Sequence, residues 1–275
     1  MNSVTRDIAY GDHPKQALDV HTADPSEFVP DGVPRNITSE AHRPAIIDIH
    51  GGGWYRGNKE KEDSIAAEFA KRGYIVFSPD YRLAPGFPFP IPREDVLAAY
   101  QWVLDSGYEF DRDRVVFFGG SAGGNLSVEA SMATGRPGVS WSGIFDLAGF
   151  IAETDGKVAE GPLQPDDPSA ANGAIDQGGP DDPFMIAFIL TYVNHDRSRL
   201  GAATTRLRVT KDSGPVYLAN SANEMVHVDD PISLLHAYAD VQVDATLQIV
   251  PGTAHALGYT DQALPATLAW IANHL

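Results

Sequence analysis

The sequence predicts an α/β protein built around a largely parallel β-sheet. Short apolar runs bounded by turn residues alternate with longer stretches in which apolar residues recur at helical spacing, which is typical of stacked β-α units. No repeat of fixed period interrupts this alternation. The chain has 275 residues, and α/β folds of this length are often single domains that bury about three quarters of their unfolded surface.

Five short apolar runs predict buried strands, and the longer patterns between them predict helices. The strands are expected at 45–49, 75–77, 115–118, 216–218 and 246–250. The helices are expected at 60–72, 92–106, 229–239 and 261–274. The first helix carries its apolar residues on one face, among them Ile65, Ala66 and Phe69. Pro92 suits the first turn of the second helix.

Two stretches interrupt this alternation. Residues 22–44 are rich in Pro, Asp, Glu and Ser, and they predict a long surface connection between early strands. Residues 148–214 begin rich in Gly, Pro and Asp and then contain the apolar segment 183–193. Such insertions usually rise above the carboxyl ends of the strands. We therefore expect a core formed by 1–147 and 215–275, with 148–214 as a cap.

The composition excludes several classes of protein. With 43% hydrophobic and 21% charged residues, the chain is ordinary for a globular protein, and its lack of cysteine excludes disulfides and a cysteine nucleophile. The 37 acidic and 20 basic residues leave a net charge of −17, which disfavours nucleic acid and anionic membranes as partners. No apolar secretory signal is visible at the N-terminus. A cytoplasmic location is the expectation.

The strongest chemical signal is the segment Gly119-Gly120-Ser121-Ala122-Gly123, which follows a predicted strand and precedes a helical pattern. Gly-x-Ser-x-Gly in this context indicates a nucleophile elbow, whose sharp turn needs neighbours that lack a Cβ atom. Ser121 is the candidate nucleophile, and the N–H of Ala122 is a candidate donor to an oxyanion. The alternative is a glycine-rich turn with a structural role alone.

A second glycine-rich segment, His50-Gly51-Gly52-Gly53-Trp54, directly follows the strand at 45–49. Glycines leave backbone N–H groups open, and we expect those of Gly51 and Gly52 to bind a tetrahedral oxyanion. His50 is expected to order this loop by hydrogen bonding. A phosphate-binding loop is excluded, because position 56 is not a third glycine and no Gly-Lys-Ser/Thr follows.

These motifs resemble the α/β-hydrolases of the esterase/lipase group whose oxyanion loop reads His-Gly-Gly-Gly, a group related to hormone-sensitive lipase. Segments 81–85 and 89–95 also resemble that group, and segment 10–20 is similar to small feruloyl-esterase and kynurenine-formamidase-like members. The resemblance implies the α/β-hydrolase fold, with a mostly parallel eight-stranded sheet flanked by helices, a cap insertion, and no cofactor or metal ion. It covers most of 7–147 and 215–275, whereas 148–214 resembles no known segment.

In this fold the catalytic residues follow the order serine, acid, histidine. His255 lies in the loop between the last predicted strand and the last helix, where the histidine is expected. Glu224 precedes it by 31 residues and follows the strand at 216–218, so we expect it to be the acid. Asp229, which starts a predicted helix, is the alternative. The predicted triad is therefore Ser121, Glu224 and His255.

The apolar segment within the predicted cap suggests a substrate pocket. Met185 and Phe188, together with Trp54, are expected to line an acyl or aryl pocket, and plain burial in the cap is the alternative. We interpret the chain as a carboxylesterase that cleaves small to medium carboxylic esters through an acyl-enzyme. Its expected partners are these small-molecule substrates. An aryl-formamide or amide hydrolase and a non-catalytic ligand-binding protein are the alternatives, and a homodimer is left open.

Overall fold

The computed structural model describes residues 3–24, 39–164 and 179–275, and within them eight strands form a single sheet. The strands are β1 (Ser3–Ala9), β2 (Ala17–Thr22), β3 (Ala45–Ile49), β4 (Ile75–Pro79), β5 (Val115–Gly120), β6 (Gly138–Trp141), β7 (Val216–Ser221) and β8 (Ala245–Val250). The helices are α1 (Asp63–Ala70), α2 (Ile91–Asp105), α3 (Ala122–Thr134), α4 (Leu147–Thr154), α5 (Asp182–Tyr192), α6 (Leu200–Ala203), α7 (Asp229–Asp240) and α8 (Thr260–His274).

The strands are arranged in the order β1-β2-β4-β3-β5-β6-β7-β8. β2 is antiparallel to both of its neighbours, and the pairs that follow from β4 to β8 are all parallel. The mostly parallel eight-stranded sheet is therefore confirmed. Each of the five predicted strands is also present, as β3, β4, β5, β7 and β8. The expectation of a buried strand was wrong for β8, which lies at the sheet edge and leaves Ile249 exposed.

Three strands of the sheet, β1, β2 and β6, were not predicted from apolar runs. β1 is a mostly exposed edge strand that mixes polar and apolar residues. β2 carries the polar residues Asp19 and His21 within its buried stretch. β6 has only four residues, Gly138–Trp141, so its pattern is too short to stand out. Their sequences lack the continuous apolar runs of strands buried on both faces of a sheet.

Helices cover both faces of the sheet. Side chains alternate along each central strand, so each strand packs against helices on both sides. Ile47 and Phe117 belong to a cluster that includes α2 and α5, whereas Ile46 and Phe118 belong to a second cluster with α1 and α8. This two-sided burial explains why β3, β4 and β5 read as continuous apolar runs. Because β3, β4 and β5 are parallel, their carboxyl ends meet at one edge of the sheet.

Between β6 and β7 the chain forms α4, α5 and α6; α5 and α6 fall within the predicted cap, and α4 begins one residue before it. The apolar segment of that insertion forms α5, and its residues 184–192 are all buried. Aromatic side chains of α5 belong to the same cluster as Ile47 and Phe117, so this helix packs on the core. The division into core and cap stays a prediction. Among the described residues, no helix is both long and apolar enough to cross a membrane.

Candidate active site

Ser121 occupies the junction between β5 and α3. Its backbone has φ 56° and ψ −125°, a conformation that residues other than glycine rarely adopt. Such strain persists only where the surroundings hold it, and it is typical of functional turns. Here the Ser121 N–H donates to the carbonyl of Trp141 at 2.7 Å and so ties the turn to β6. The predicted strand–turn–helix context is thus confirmed.

The glycines at the two ends of the elbow are required by close packing. A Cβ atom on Gly119 would overlap the backbone of Gly123, and one on Gly123 would overlap the carbonyl oxygen of Ile49. Ile49 is the last residue of β3, directly before the second glycine-rich segment. The nucleophile elbow therefore packs tightly against the start of that segment, as a shared site requires.

Glu224 and His255 are joined by a hydrogen bond between the carboxylate Oε2 and the imidazole Nδ1. Both side chains are buried. The other carboxylate oxygen of Glu224 accepts the N–H of Ser221 at 2.7 Å and the hydroxyl of Ser142 at 2.8 Å. A carboxylate at Nδ1 favours the tautomer that leaves Nε2 to take up a proton.

The structure does not bring Asp229, the alternative acid, to the histidine. Asp229 is exposed in the first turn of α7, and no hydrogen bond joins it to His255. It begins a helix, as its sequence context predicted.

The order of the strands sets the elbow beside the histidine. β5, β6, β7 and β8 are adjacent and parallel, so the residues that follow them meet at one edge of the sheet. Ser121 follows β5, Glu224 follows β7 and His255 follows β8. A Cβ atom on Gly120, directly before Ser121, would lie only 3.0 Å from the Cβ of Ala256, directly after His255.

Ser142 is a site residue that the sequence search missed. It follows β6, is fully buried and has a positive φ of 56°. Its hydroxyl contacts Glu224, accepts the N–H of Ala256 at 2.9 Å and lies 2.8 Å from the hydroxyl of Tyr259. One side chain thus connects the acid to the histidine loop. Its position just beyond a strand end was the only signal, and β6 itself was not predicted.

The glycine-rich loop after β3 is ordered by His50. Its imidazole Nδ1 lies 2.7 Å from the carbonyl oxygen of Gly51, and its ring stacks on Tyr81 with centroids 4.2 Å apart. Burial lowers the pKa of His50, so the ring is neutral and donates from Nδ1. This arrangement agrees with the expected role of His50 in ordering the loop.

The backbone N–H groups of this loop are not equivalent. That of Gly51 lies on the side of the buried carboxyl group of Glu62 and lowers the pKa of that group, against the larger effect of burial. Within the described part of the chain, the N–H groups of Gly52, Gly53 and Ala122 make no hydrogen bond. The oxyanion-donor roles of Gly51, Gly52 and Ala122 stay predictions. The N–H of Gly53, which the sequence did not single out, is open as well.

Two of the predicted pocket residues, Trp54 and Phe188, lie together against this loop. Trp54 stacks on Tyr192 of α5 with centroids 4.1 Å apart, and its ring lies 5.7 Å from that of Phe188. Trp54, Met185 and Phe188 are all buried. A Cβ atom on Gly53 would lie 3.2 Å from the Cβ of Phe188, so α5 directly covers the glycine-rich loop. The lining of an acyl pocket by these side chains stays a prediction.

One group of metal-ligating side chains occurs among the described residues, remote in sequence from the elbow. Ligand atoms of Asp19, His21 and Asp63 lie within 4.8 Å of one another. The Arg6 guanidinium binds both carboxylates, and the Lys59 ammonium lies 3.2 Å from Asp19. These two cations already neutralise the acids, so the group fits an ion-pair network better than a metal centre.

Comparison with known proteins agrees with this geometry. The family profile of the alpha/beta hydrolase fold matches residues 46–258, which include both glycine-rich segments and His255. The chain belongs to the α/β-hydrolase family. This hydrolase is 31% identical over 241 residues to the carboxylesterase NlhH of Mycobacterium tuberculosis, a match that covers 82% of this chain and 74% of the relative.

Solved structures of esterases share the fold of this hydrolase. Esterase B of Lactobacillus rhamnosis superposes with a TM-score of 0.73 at 20% identity, covering 99% of this chain and 86% of the other. The carboxylesterase EstE1, cloned from a metagenomic library, superposes with a TM-score of 0.72 at 20% identity, covering 100% and 89%. At this level of identity, the likeness shows the fold.

Proposed function

We propose that this α/β-hydrolase is a carboxylesterase that cleaves small to medium carboxylic esters through an acyl-enzyme intermediate. The observation that carries the proposal is the hydrogen bond from His255 to the buried Glu224, at the strand ends that also hold the strained Ser121. The similarity to the carboxylesterase NlhH supports the same reaction class. No relative described above favours the formamidase alternative.

The mechanism follows from these positions. The hydroxyl oxygen of Ser121 attacks the ester carbonyl while Nε2 of His255 takes the hydroxyl proton, and the developing imidazolium is stabilised by the Glu224 carboxylate. The tetrahedral oxyanion accepts hydrogen bonds from the open N–H groups of Gly52, Gly53 and Ala122. The imidazolium then protonates the leaving alcohol. Water, deprotonated by His255, attacks the acyl-enzyme, and collapse of the second tetrahedral intermediate releases the acid and restores Ser121.

The direct test is release of p-nitrophenol from p-nitrophenyl butyrate by wild type and by Ser121→Ala. We expect turnover by the wild type and a loss of about 10⁴-fold or more in the variant, because the nucleophile is removed. Ser64→Ala, which changes an exposed serine on α1, is the matched control and should leave turnover unchanged. Undiminished turnover by Ser121→Ala would contradict the proposal.

A panel of substrates distinguishes the proposed carboxylesterase activity from its alternatives. We expect kcat/KM for phenyl esters to exceed that for the corresponding N-formyl anilides. The reverse order would favour the formamidase, and a folded wild type that turns over neither would favour a ligand-binding protein. A cytoplasmic location and a homodimer remain predictions, and light scattering of the purified protein decides the second.

A further inference from the structure

The helix that begins at the nucleophile elbow, α3, carries a buried amide in its first turns. Asn125 lies four residues after Ser121, and its side chain is almost completely buried. Its backbone N–H donates to the carbonyl oxygen of Ser121 at 3.0 Å, so the two residues are one helical turn apart. The proposed mechanism does not use this side chain. A buried amide nevertheless needs hydrogen-bond partners, and here those partners come from outside the helix.

The amide nitrogen of Asn125 joins two distant segments to α3. It donates to the carbonyl oxygen of Ile144 at 2.7 Å and to the hydroxyl oxygen of Thr205 at 2.9 Å. Ile144 belongs to the connection that follows β6, and Thr205 begins the 3-10 turn Thr205–Arg208 after α6. One side chain therefore spans the space between three parts of the fold.

The partners of Asn125 fix which way round its amide lies. The Thr205 hydroxyl donates its single hydrogen to a carboxylate oxygen of Glu129 at 2.6 Å, so it can only accept from Asn125. The Ile144 carbonyl can also only accept. The carboxylate of Glu129 is itself paired with Arg93, whose Nε lies 3.1 Å from its second oxygen. Since both neighbours of the amide are acceptors, its nitrogen and not its oxygen must face them.

Asn125 completes a two-point attachment between the nucleophile turn and the segment 141–144. At the start of this segment, the carbonyl oxygen of Trp141 accepts the N–H of Ser121 at 2.7 Å. At its end, the carbonyl oxygen of Ile144 accepts the Asn125 amide. The first bond uses backbone atoms alone, whereas the second exists only because position 125 carries an amide. Two attachment points hold the segment in one orientation on α3, which a single bond cannot do.

Segment 141–144 also carries the hydroxyl that contacts the acid and the histidine loop. Ser142, inside the segment, donates to Glu224 at 2.8 Å and accepts the N–H of Ala256, the residue after the histidine, at 2.9 Å. A displacement of this segment on α3 would therefore move the acid and the histidine relative to the nucleophile.

We propose that Asn125 is a positioning residue, which holds segment 141–144 on α3 so that the acid and the histidine meet Ser121 in the geometry for proton transfer. The inference rests on the proposed esterase function. Misplacing reacting groups by about 1 Å can cost about 10²-fold in rate. Binding of the substrate does not require this proton transfer, so loss of the amide should lower kcat and leave KM nearly unchanged.

The experiment is a double-mutant cycle on kcat with p-nitrophenyl butyrate. Active sites are counted by titration with diethyl p-nitrophenyl phosphate, so a smaller folded fraction does not appear as a lower kcat. We expect Asn125→Ala to lower kcat about 10- to 30-fold with KM within about threefold. In the Ser142→Ala background the segment no longer contacts the acid, and the same change should lower kcat by less than about threefold further.

Two further sets of variants sharpen the test. Ser131→Ala is the matched control, because it also removes a hydrogen bond of a buried side chain on α3, six residues further along. Its kcat should stay within about twofold of wild type. Thr205→Val removes only the second partner of the amide and should lower kcat about threefold, whereas Thr205→Ser keeps the hydroxyl and should restore it. Melting temperatures establish that each variant is folded.

The outcomes decide the inference either way. An unchanged kcat in folded Asn125→Ala, an equal fall in Ser131→Ala, or an undiminished effect in the Ser142→Ala background would each overturn it. If Asn125→Ala does not fold, the Thr205 pair decides: a fall in Thr205→Val that Thr205→Ser restores supports the inference, and equal values overturn it. Ser121→Ala in the same assay separates the two proposals, because turnover retained there would refute the esterase mechanism itself, whatever the Asn125 variants do.

Discussion

Two buried glutamates near the glycine-rich segments differ in what surrounds their carboxyl groups. Glu224 is met by positioned donors, namely the N–H of Ser221, the hydroxyl of Ser142 and the His255 ring. Burial raises the pKa of Glu62 to about 8, against the opposing effects of the Gly51 N–H and the Lys61 ammonium. Burial is common to both. The structure thus surrounds Glu224 with positioned hydrogen-bond donors, whereas burial favours the neutral form of Glu62.

The largest effect is expected at Glu224. Glu224→Gln should lower kcat by about 10³- to 10⁴-fold, because an amide no longer selects the productive tautomer of His255 or stabilises its cation. The same ester assay measures it. Asp229→Asn is the matched control and should stay within about twofold of wild type, since Asp229 is exposed on α7. The reverse pattern would transfer the role of the acid to Asp229.

The second prediction concerns folding stability and Glu62. Its pKa lies near 8 in the folded protein and near 4.5 in the unfolded chain. The neutral carboxyl therefore contributes stability that is fully present below about pH 4.5 and is lost as pH rises through 8. Relative to wild type, Glu62→Gln should gain about 1–3 kcal/mol in unfolding free energy between pH 5 and pH 9.

Urea denaturation of both proteins at several pH values measures this difference. Glu60→Gln provides the control, because the pKa of Glu60 is lowered rather than raised. A constant difference between wild type and Glu62→Gln across the pH range would show that Glu62 titrates as an ordinary carboxyl group. The contrast with Glu224 would then be lost.

A smaller effect is expected at Ser142, which donates to Glu224 and contacts the histidine loop. Ser142→Ala removes one donor from the carboxylate and loosens the connection to Ala256, and we expect kcat to fall about tenfold with KM unchanged. Ser140→Ala offers a close control, since Ser140 is buried on β6, two residues earlier, and its hydroxyl makes no hydrogen bond among the described residues. Equal losses in both variants would indicate a structural role alone.

The smallest effect is expected at the predicted acyl pocket. Met185→Ala or Phe188→Ala should shift the preference among esters of different acyl length by about threefold, if these α5 side chains line the pocket. Relative kcat/KM values for acetate, butyrate and octanoate esters measure the shift. A lower melting temperature with an unchanged preference would assign both residues to packing.

The parts of the site that lie within a few neighbouring residues were predictable. The apolar run of β5 and the glycines around Ser121 specify the elbow locally, because the turn requires residues without a Cβ atom. Spacing along the chain also distinguished Glu224 from Asp229, and the structure joins the first of these to His255. Contacts between distant segments were harder. The hydrogen bond from Ser142 to Glu224, 82 residues further along the chain, leaves no trace in either local pattern.

Position in the sheet accounts for the other differences. β8 has the apolar residues of a buried strand but no neighbour on its outer side, and this follows from strand order rather than composition. Ser142 acquires its role because β6 lies between β5 and β7 in the sheet, which brings it to both Glu224 and Ala256. Such neighbours are set by the arrangement of the whole sheet.

The amino-acid pattern alone was therefore sufficient for the fold class, the elbow, the glycine-rich loop and the candidate triad, because each depends on short-range geometry or on the chain order of the motifs. The tertiary structure decided which groups surround each buried acid and which strand ends meet at the site. Both depend on donors and acceptors that converge from separate strands, since the hydrogen bonds of a buried group depend on everything packed around it.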